Sequence, residues 1–255
     1  MMKKTIIITG AASGIGAETA KQLKAQGHTI IAFDRNEVTE HIDQYIPIDL
    51  SDDKSIIAAV KEFKGKAHAI CNIAGVPPTV PPELQIKVNF FGLRLFTELL
   101  IDKLLDGASI INLASMAGSR WMDNVKILND LFKINDFAQA LPFIEQHNLV
   151  GDVTYNFSKE AVILWSMYNS STWSDRNITV KSVSPGPIKT PILKDFMDTI
   201  AKKQIVLPEA MKGEPEKIAA IVAFLCEDNA AWINGQNIIA DGGLLALRMT
   251  KQLNA

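Results

Sequence analysis

Thr5-Ile6-Ile7-Ile8-Thr9-Gly10-Ala11-Ala12-Ser13-Gly14-Ile15-Gly16 decides how the rest of the chain is read. Its first residues, 5–8, are a β-branched apolar run that predicts a short buried strand. A helix is predicted over 14–26, stopped by Gly27. Between them Gly10 permits a tight turn, Gly14 lets the backbone approach a diphosphate, and Gly16 lets the helix pack closely on the strand. Phosphate oxygens would then meet the free N–H groups of the helix N-terminus. A glycine triplet alone is weak evidence and is often only a turn. Its position between a strand and a helix gives it weight.

Outward from this turn, strands are predicted at 29–33, 45–48, Ala67–Asn72, 109–114, 178–184 and Asn237–Ala240. Helices are predicted at 51–64, 83–105, 153–173 and 214–227. Strands alternating with helices predict an α/β fold, a doubly wound parallel sheet of Rossmann type with helices on both faces. The strands read as unbroken apolar runs, as expected where both faces are buried. One domain over 1–255 is expected. Two segments interrupt the alternation, a helical insertion at about 121–151 and a lid at about 190–211. In the insertion Ile127, Leu128, Leu131, Phe132, Phe137, Leu141 and Ile144 recur at helical spacing. Two amphipathic helices there are expected to form part of a homo-oligomer interface, in a dimer or tetramer; packing on their own domain is the alternative.

Net charge is −2, with 47% hydrophobic and 21% charged residues. That balance predicts a globular core and, lacking a basic face, no nucleic-acid or anionic-membrane partner. No apolar stretch reaches the roughly 18 residues a bilayer span needs, and the run after Lys3 and Lys4 is too short for a signal peptide. A cytoplasmic protein is expected. Cys71 and Cys226 form no CxxC motif and read as buried thiols in a reducing compartment rather than as a disulfide. His28, His41, His68 and His147 lack metal-ligand spacing, so no metal is expected.

Asp34 closes the second strand, 18 residues after Gly16, where a carboxylate that accepts from an adenosine ribose belongs. It would repel a 2′-phosphate, so NAD is expected over NADP; Arg35 beside it can pair with that phosphate and complicates the preference. Asp49 reads either as an acceptor for the adenine amino group or as an ordinary helix-start carboxylate. Tyr155 and Lys159, at i and i+4, share one helix face. An ammonium beside a phenol favours phenolate and is expected to lower the tyrosine by about 1–3 units. The pair can then serve as proton donor and acceptor near neutral pH, although Tyr-x-x-x-Lys also occurs by chance.

Together with Asn72-Ile73-Ala74-Gly75, Asn89, Ser115-Met116-Ala117-Gly118 and Pro185-Gly186, these segments resemble the short-chain dehydrogenase/reductase family, from Thr5 to about Gly243 and in family order. The resemblance implies that Tyr155 gives a proton to a carbonyl oxygen, or takes one from a hydroxyl, while hydride moves at carbon. Ser115 would hydrogen-bond the same oxygen, Lys159 would hold the nicotinamide ribose, and Asn89 would anchor a water relay to Lys159. The cofactor would lie along Gly10, Ser13, Gly14, Ile15, Gly16, Asp34, Arg35, Asp49, Leu50, Asn72, Ala74, Gly75, Tyr155, Lys159, Pro185, Gly186, Ile188 and Thr190, the last two at the carboxamide. Cys71-Asn72 and Ala114-Ser115 replace the family's usual asparagine and serine pairs without removing a needed group.

A larger departure is the 39 residues between Ser115 and Tyr155. With the overall length, that insertion resembles the bacterial 3α-hydroxysteroid dehydrogenase/carbonyl reductase branch. Ile192, Leu193, Phe196, Met197, Ile200, Ile205, Val206, Leu207 and Met211 make an apolar stripe in the lid segment. The substrate expected from it is a bulky hydrophobic secondary alcohol or ketone, with steroids a named candidate, and not a phosphorylated sugar or acyl-carrier thioester. A small non-steroid alcohol or ketone, and a non-catalytic dinucleotide-binding regulator, stand as alternatives.

Overall fold

Along each central strand, successive side chains feed two different cores. In Thr5–Thr9 (β1), Ile7 points to one face with Phe33, while Ile6 and Ile8 point to the other. This is how a strand that is apolar at every position satisfies a sheet covered on both faces. The protein is described here from a computed structural model at residues 2–193 and 212–253. β1 is joined by Thr29–Asp34 (β2), Gln44–Pro47 (β3), Ala67–Asn72 (β4), Leu104–Leu113 (β5), Thr179–Pro185 (β6) and Asn237–Ala240 (β7). All pair in parallel, in the order β3-β2-β1-β4-β5-β6-β7. The order reverses between β1 and β4, and the crevice at such a reversal is where open α/β sheets bind ligands.

Helix Gly14–Ala25 (α1) covers one face together with Pro215–Leu225 (α8). Asp53–Glu62 (α2), Leu93–Leu100 (α4) and Asp152–Tyr168 (α7) cover the other. Position α7 is buried on nearly every side, from Thr154 to Ser166, because the insertion packs on its outer surface. The insertion is Trp121–Asn124 as a 3₁₀ turn, Val125–Phe132 (α5), the 3₁₀ turn Phe137–Gln139 and Ala140–Gln146 (α6). Its apolar stripe faces inward: Leu128, Leu131, Phe137, Phe143 and Ile144 are buried in the chain's own core. Phe132 packs on Phe90 with ring centroids 5.3 Å apart, and Phe143 on Phe157 at 6.0 Å. Most of the stripe expected to face a second subunit is therefore consumed within the chain, while Leu141 stays exposed on its outer edge.

Several elements differ from the sequence expectation, among them β5, which begins at Leu104 rather than at 109. The single helix over 83–105 is Pro82–Ile86 (α3), a π turn at Lys87–Gly92, then α4 and a 3₁₀ turn at Ile101–Lys103. The wide turn lets Gly92 meet the backbone of Leu50, where a Cβ would lie 2.2 Å from the carbonyl oxygen. Helix α7 stops at Tyr168, and the chain turns through Asn177 at φ +53° before β6. A helix after β7 was not anticipated: Leu244–Leu253 (α9) is started by Asp241, whose carboxylate accepts from Gly243 N at 2.9 Å and Leu245 N at 2.7 Å. Most of the lid expected at 190–211 lies outside the described residues.

Candidate active site

Gly10 adopts φ +76° and donates to Phe33 O at 3.0 Å, tying the turn to β2. A Cβ on Gly10 would lie 2.7 Å from Ala74 Cα, and one on Gly16 2.0 Å from Gly10 O. These approaches admit no side chain, so the turn is closed by backbone alone. Ser13 precedes α1 but its hydroxyl does not cap the helix, leaving first-turn N–H groups at a cavity lined by Ser13, Gly14, Ile15 and Gly16. Thr190, across the cavity, would touch a Cβ on Gly14 at 3.1 Å. An uncapped helix N-terminus in a cradle with no room for side chains fits a diphosphate.

At the adenosine end, Asp34 Oδ2 accepts from Ala12 N at 2.9 Å and Oδ1 from Asn36 N at 2.9 Å. The carboxylate is thus fixed against the turn, with lone pairs left for ribose hydroxyls. Arg35 is exposed beside it. Asp49 Oδ1 accepts from Ser51 N and Oγ, at 2.8 and 2.7 Å, so this carboxylate does organise the approach to α2 while it also lines the cavity.

The cavity, of about 680 Å³, runs from Asp34 past Ser115, Tyr155 and Lys159 to α9. It is lined by every catalytic and cofactor-binding residue expected from the sequence except Asn72 and Asn89. Asn72 is buried beside it, donating to Thr97 Oγ1 and Asn112 Oδ1, each at 2.8 Å; it ties β4 to β5 and α4. Asn89 sits in the π turn. Its Oδ1 accepts from Val76 N at 2.8 Å, and its Nδ2 donates to Val76 O at 3.2 Å and Ser158 Oγ at 3.1 Å. Ser158 Oγ in turn donates to Tyr155 O at 2.7 Å, so Asn89 links the wall at Val76 to the helix that carries Tyr155.

Tyr155 and Lys159 project from one face of α7, with Lys159 Nζ 5.9 Å from the centre of the phenol ring and donating to Leu113 O at 3.0 Å. Ser115 lies two residues beyond β5 and caps the Met116–Gly118 turn, its Oγ accepting from Ala117 N at 3.1 Å. That turn lies against α7: a Cβ on Gly118 would meet Lys159 C at 2.8 Å. Burial pushes the Tyr155 phenol up to about 12, and a hydrogen bond from Ser115 pulls the other way. Burial also pushes Lys159 down to about 8. The sequence had suggested that the ammonium would dominate and lower the phenol. Desolvation outweighs it, because both groups are enclosed and each loses hydration of its charged form.

Pro185 pairs with Ala240 at the end of β6, and Gly186 donates to Ala240 O at 3.1 Å. A Cβ on Gly186 would lie 2.8 Å from Asp241 Cα. Ile188 is buried and Thr190 Oγ1 donates to Ile188 O at 3.2 Å. This turn lies between the glycine cradle and the start of α9. Met116, Arg120, Asp152, Asn156, Ile192, Leu193, Leu244 and Arg248 also line the cavity. Of these, Met116 belongs to the Ser115–Gly118 motif and Ile192 and Leu193 to the apolar lid stripe; the other five had not been singled out in the sequence. Arg248 was readable in principle, from Asp241 as a helix cap with Leu244 and Arg248 four residues apart.

Residues 4–126 match the family described as short chain dehydrogenase, and residues 143–245 the family described as enoyl-(acyl carrier protein) reductase. The chain is 34% identical to a coniferyl-alcohol dehydrogenase of Pseudomonas sp. (strain HR199), covering 96% of this chain and 97% of the relative. It is 26% identical to a 3-alpha-hydroxysteroid dehydrogenase/carbonyl reductase of Comamonas testosteroni, with coverage of 97% and 98%. The crystal structure of a 3-alpha-hydroxysteroid dehydrogenase from Pseudomonas sp. B-0831, complexed with NADH, superposes with a TM-score of 0.83 at 28% identity, covering 97% of this chain and 99% of that one.

Proposed function

The chain belongs to the short-chain dehydrogenase/reductase family, an oxidoreductase acting on CH–OH groups, and on that premise we propose that it transfers hydride between NAD(H) and a bulky, hydrophobic secondary alcohol or ketone. The reading takes 1–255 as one catalytic domain. When bound, the nicotinamide supplies or accepts the hydride. Tyr155 donates its phenolic proton to the carbonyl oxygen in reduction and takes the hydroxyl proton in oxidation. Ser115, already bonded to the phenol, orients the same oxygen. Lys159 holds the nicotinamide ribose and supplies positive charge near the phenol, while Asn89 positions α7 through Ser158. The observation that carries this reading is the convergence of Ser115, Tyr155 and Lys159 on a cavity whose far end is the glycine cradle and Asp34.

Asp34 supports NAD over NADP, because its fixed carboxylate would face a 2′-phosphate. Steady-state kinetics with both cofactors test the preference: kcat/KM should favour NADH, and an equal or higher value with NADPH would assign the strand end to Arg35. Ile192, Leu193 and Leu244 on the lining support an apolar substrate. Comparing hydroxysteroids, aryl alcohols and small polyols as substrates checks it, and preference for a polyol would overturn the bulky class while leaving the Tyr155 chemistry intact. The proposal keeps the cytoplasmic setting expected from the sequence; Cys71 and Cys226 are buried with their Sγ atoms 3.4 Å apart. Among the described residues no helix is long and apolar enough to cross a membrane. Self-association as a dimer or tetramer is kept as part of the proposal, through the outer edge of the insertion, where Leu141 is exposed.

A further inference from the structure

The sheet order gives the cavity a direction. Arg35 follows β2, the catalytic residues stand above β5 and β6, and α9 rises from β7, the last strand. From β2 to β7 is five strand spacings, about 24 Å at roughly 4.8 Å each. A dinucleotide laid from Asp34 to Ile188 uses the β2 to β6 side, so lining contributed by α9 lies on the side left to the substrate. There Leu244 is buried and Arg248 follows one turn later, both lining the cavity.

The cations of the lining differ in what already holds them. Lys159 is enclosed at the catalytic centre and donates to Leu113 O. Arg120 pairs with Asp123 at 2.9 Å. Arg35 belongs to the adenosine end. Asp152, an acidic residue of the same lining, has a partner of its own. Arg248 has no carboxylate or hydrogen-bond partner among the described residues. Arg248 is exposed and lines the cavity beside buried Leu244, and a guanidinium next to apolar lining is suited to a bidentate anion at the end of an apolar body.

We propose that Arg248 is a specificity-determining residue that holds a carboxylate at the end of the substrate remote from the carbon that changes oxidation state. This deepens, and rests on, the dehydrogenase reading. It narrows the substrate class to apolar alcohols or ketones with one anionic terminus.

The test compares 4-acetylbenzoate with acetophenone, titrated calorimetrically into the full chain at saturating NADH. The carboxylate should bind about fivefold tighter or more, as expected for a partly exposed ion pair, and the advantage should shrink at high salt. Arg248→Ala should abolish the advantage and Arg248→Lys should keep part of it. Equal affinities in the wild type, an advantage that survives Arg248→Ala, or binding of neither ketone overturns the assignment. NADH oxidation with the same two ketones is read in parallel. An Arg248-dependent advantage in binding without turnover would sink the reductase reading while the anion site stands; turnover of both ketones with no advantage would do the reverse.

Discussion

At the β1–α1 turn the cavity wall is backbone against backbone, whereas the insertion, away from the cavity, packs side chain against side chain. Gly16 and Gly10 come so close that an added Cβ would fall 2.0 Å from a carbonyl oxygen. The insertion is instead held by stacked rings, Phe90 on Phe132 and Phe91 on Phe137, and by Arg94. The buried Arg94 guanidinium donates to Phe132 O at 3.2 Å, to Ile134 O, and to Asn135 Oδ1 at 3.1 Å. A backbone contact of the first kind accepts one residue type. A packed contact of the second kind accepts any set of apolar side chains of fitting volume. The first region should therefore fail all at once when altered, and the second by degrees.

Helix α7 is where the two regions meet, and it carries the largest expected effect. Tyr155→Phe removes only the hydroxyl, so turnover should fall by about 10²–10⁴-fold while NADH still binds. Kinetics with fluorescence titration of NADH check both halves. The pH profile sharpens the assignment. With the phenol held near 12 by burial, alcohol oxidation needs the rarer phenolate and should speed up as pH rises across neutrality, whereas carbonyl reduction, which needs the phenol, should not. Tyr155→Phe should erase that difference. Retention of more than a few per cent of activity would remove Tyr155 from the chemistry.

Gly16→Ala comes next and probes the backbone region alone. The added methyl must displace the Gly10 carbonyl, so NADH affinity should drop tenfold or more, with about 1–3 kcal/mol of overpacking cost. Near-native affinity measured by titration would mean that the turn yields as easily as the packed region, and the contrast would fail.

Legibility in the sequence follows the same divide. Gly10, Gly14 and Gly16 could be read because sterics leaves no other residue, and Tyr155 with Lys159 because their spacing fixes a shared helix face. The parallel order followed from apolar runs between helices. Other features rested on contacts between parts distant in the chain. The π turn at Lys87–Gly92 is set by Leu50 meeting Gly92. The inward face of α5 and α6 is set by partners at Phe90, Phe91 and Phe157. Amphipathic spacing says that a face must be covered without saying by what. The rise of the Tyr155 pKa likewise depends on enclosure, which the neighbouring Lys159 in the sequence does not report.

Arg94→Met tests the packed region at its polar anchor. Methionine keeps much of the volume but leaves the carbonyls of Phe132 and Ile134 without their donor. Unpaired buried acceptors cost about 1–3 kcal/mol in total here, which lowers Tm by several degrees in a chain of this size. NADH affinity should stay within about twofold, because no group of the cradle is touched. A tenfold loss of NADH affinity would mean that the insertion and the cradle form one cooperative unit, and that the contrast drawn between them is false.

The smallest effect is expected from Leu141→Ala, and it decides what the insertion is for. Leu141 lies on α6 but is 43% exposed, whereas Leu128 on α5 is fully buried. If the insertion packs only on its own chain, truncating Leu141 removes little buried surface and should change stability by no more than about 0.5 kcal/mol. Leu128→Ala, as the internal control, should cost about 2–5 kcal/mol through lost burial and the cavity left behind. Thermal unfolding compares the two, and light scattering reports the assembly state of each. An unchanged mass with an unchanged Tm for Leu141→Ala places the insertion within the subunit. A fall in mass, or a Tm loss comparable to that of Leu128→Ala, would mean that Leu141 is covered by a second copy of the chain. The insertion would then serve two packing partners, its inner stripe held by α7 and the π turn and its outer edge by a neighbour.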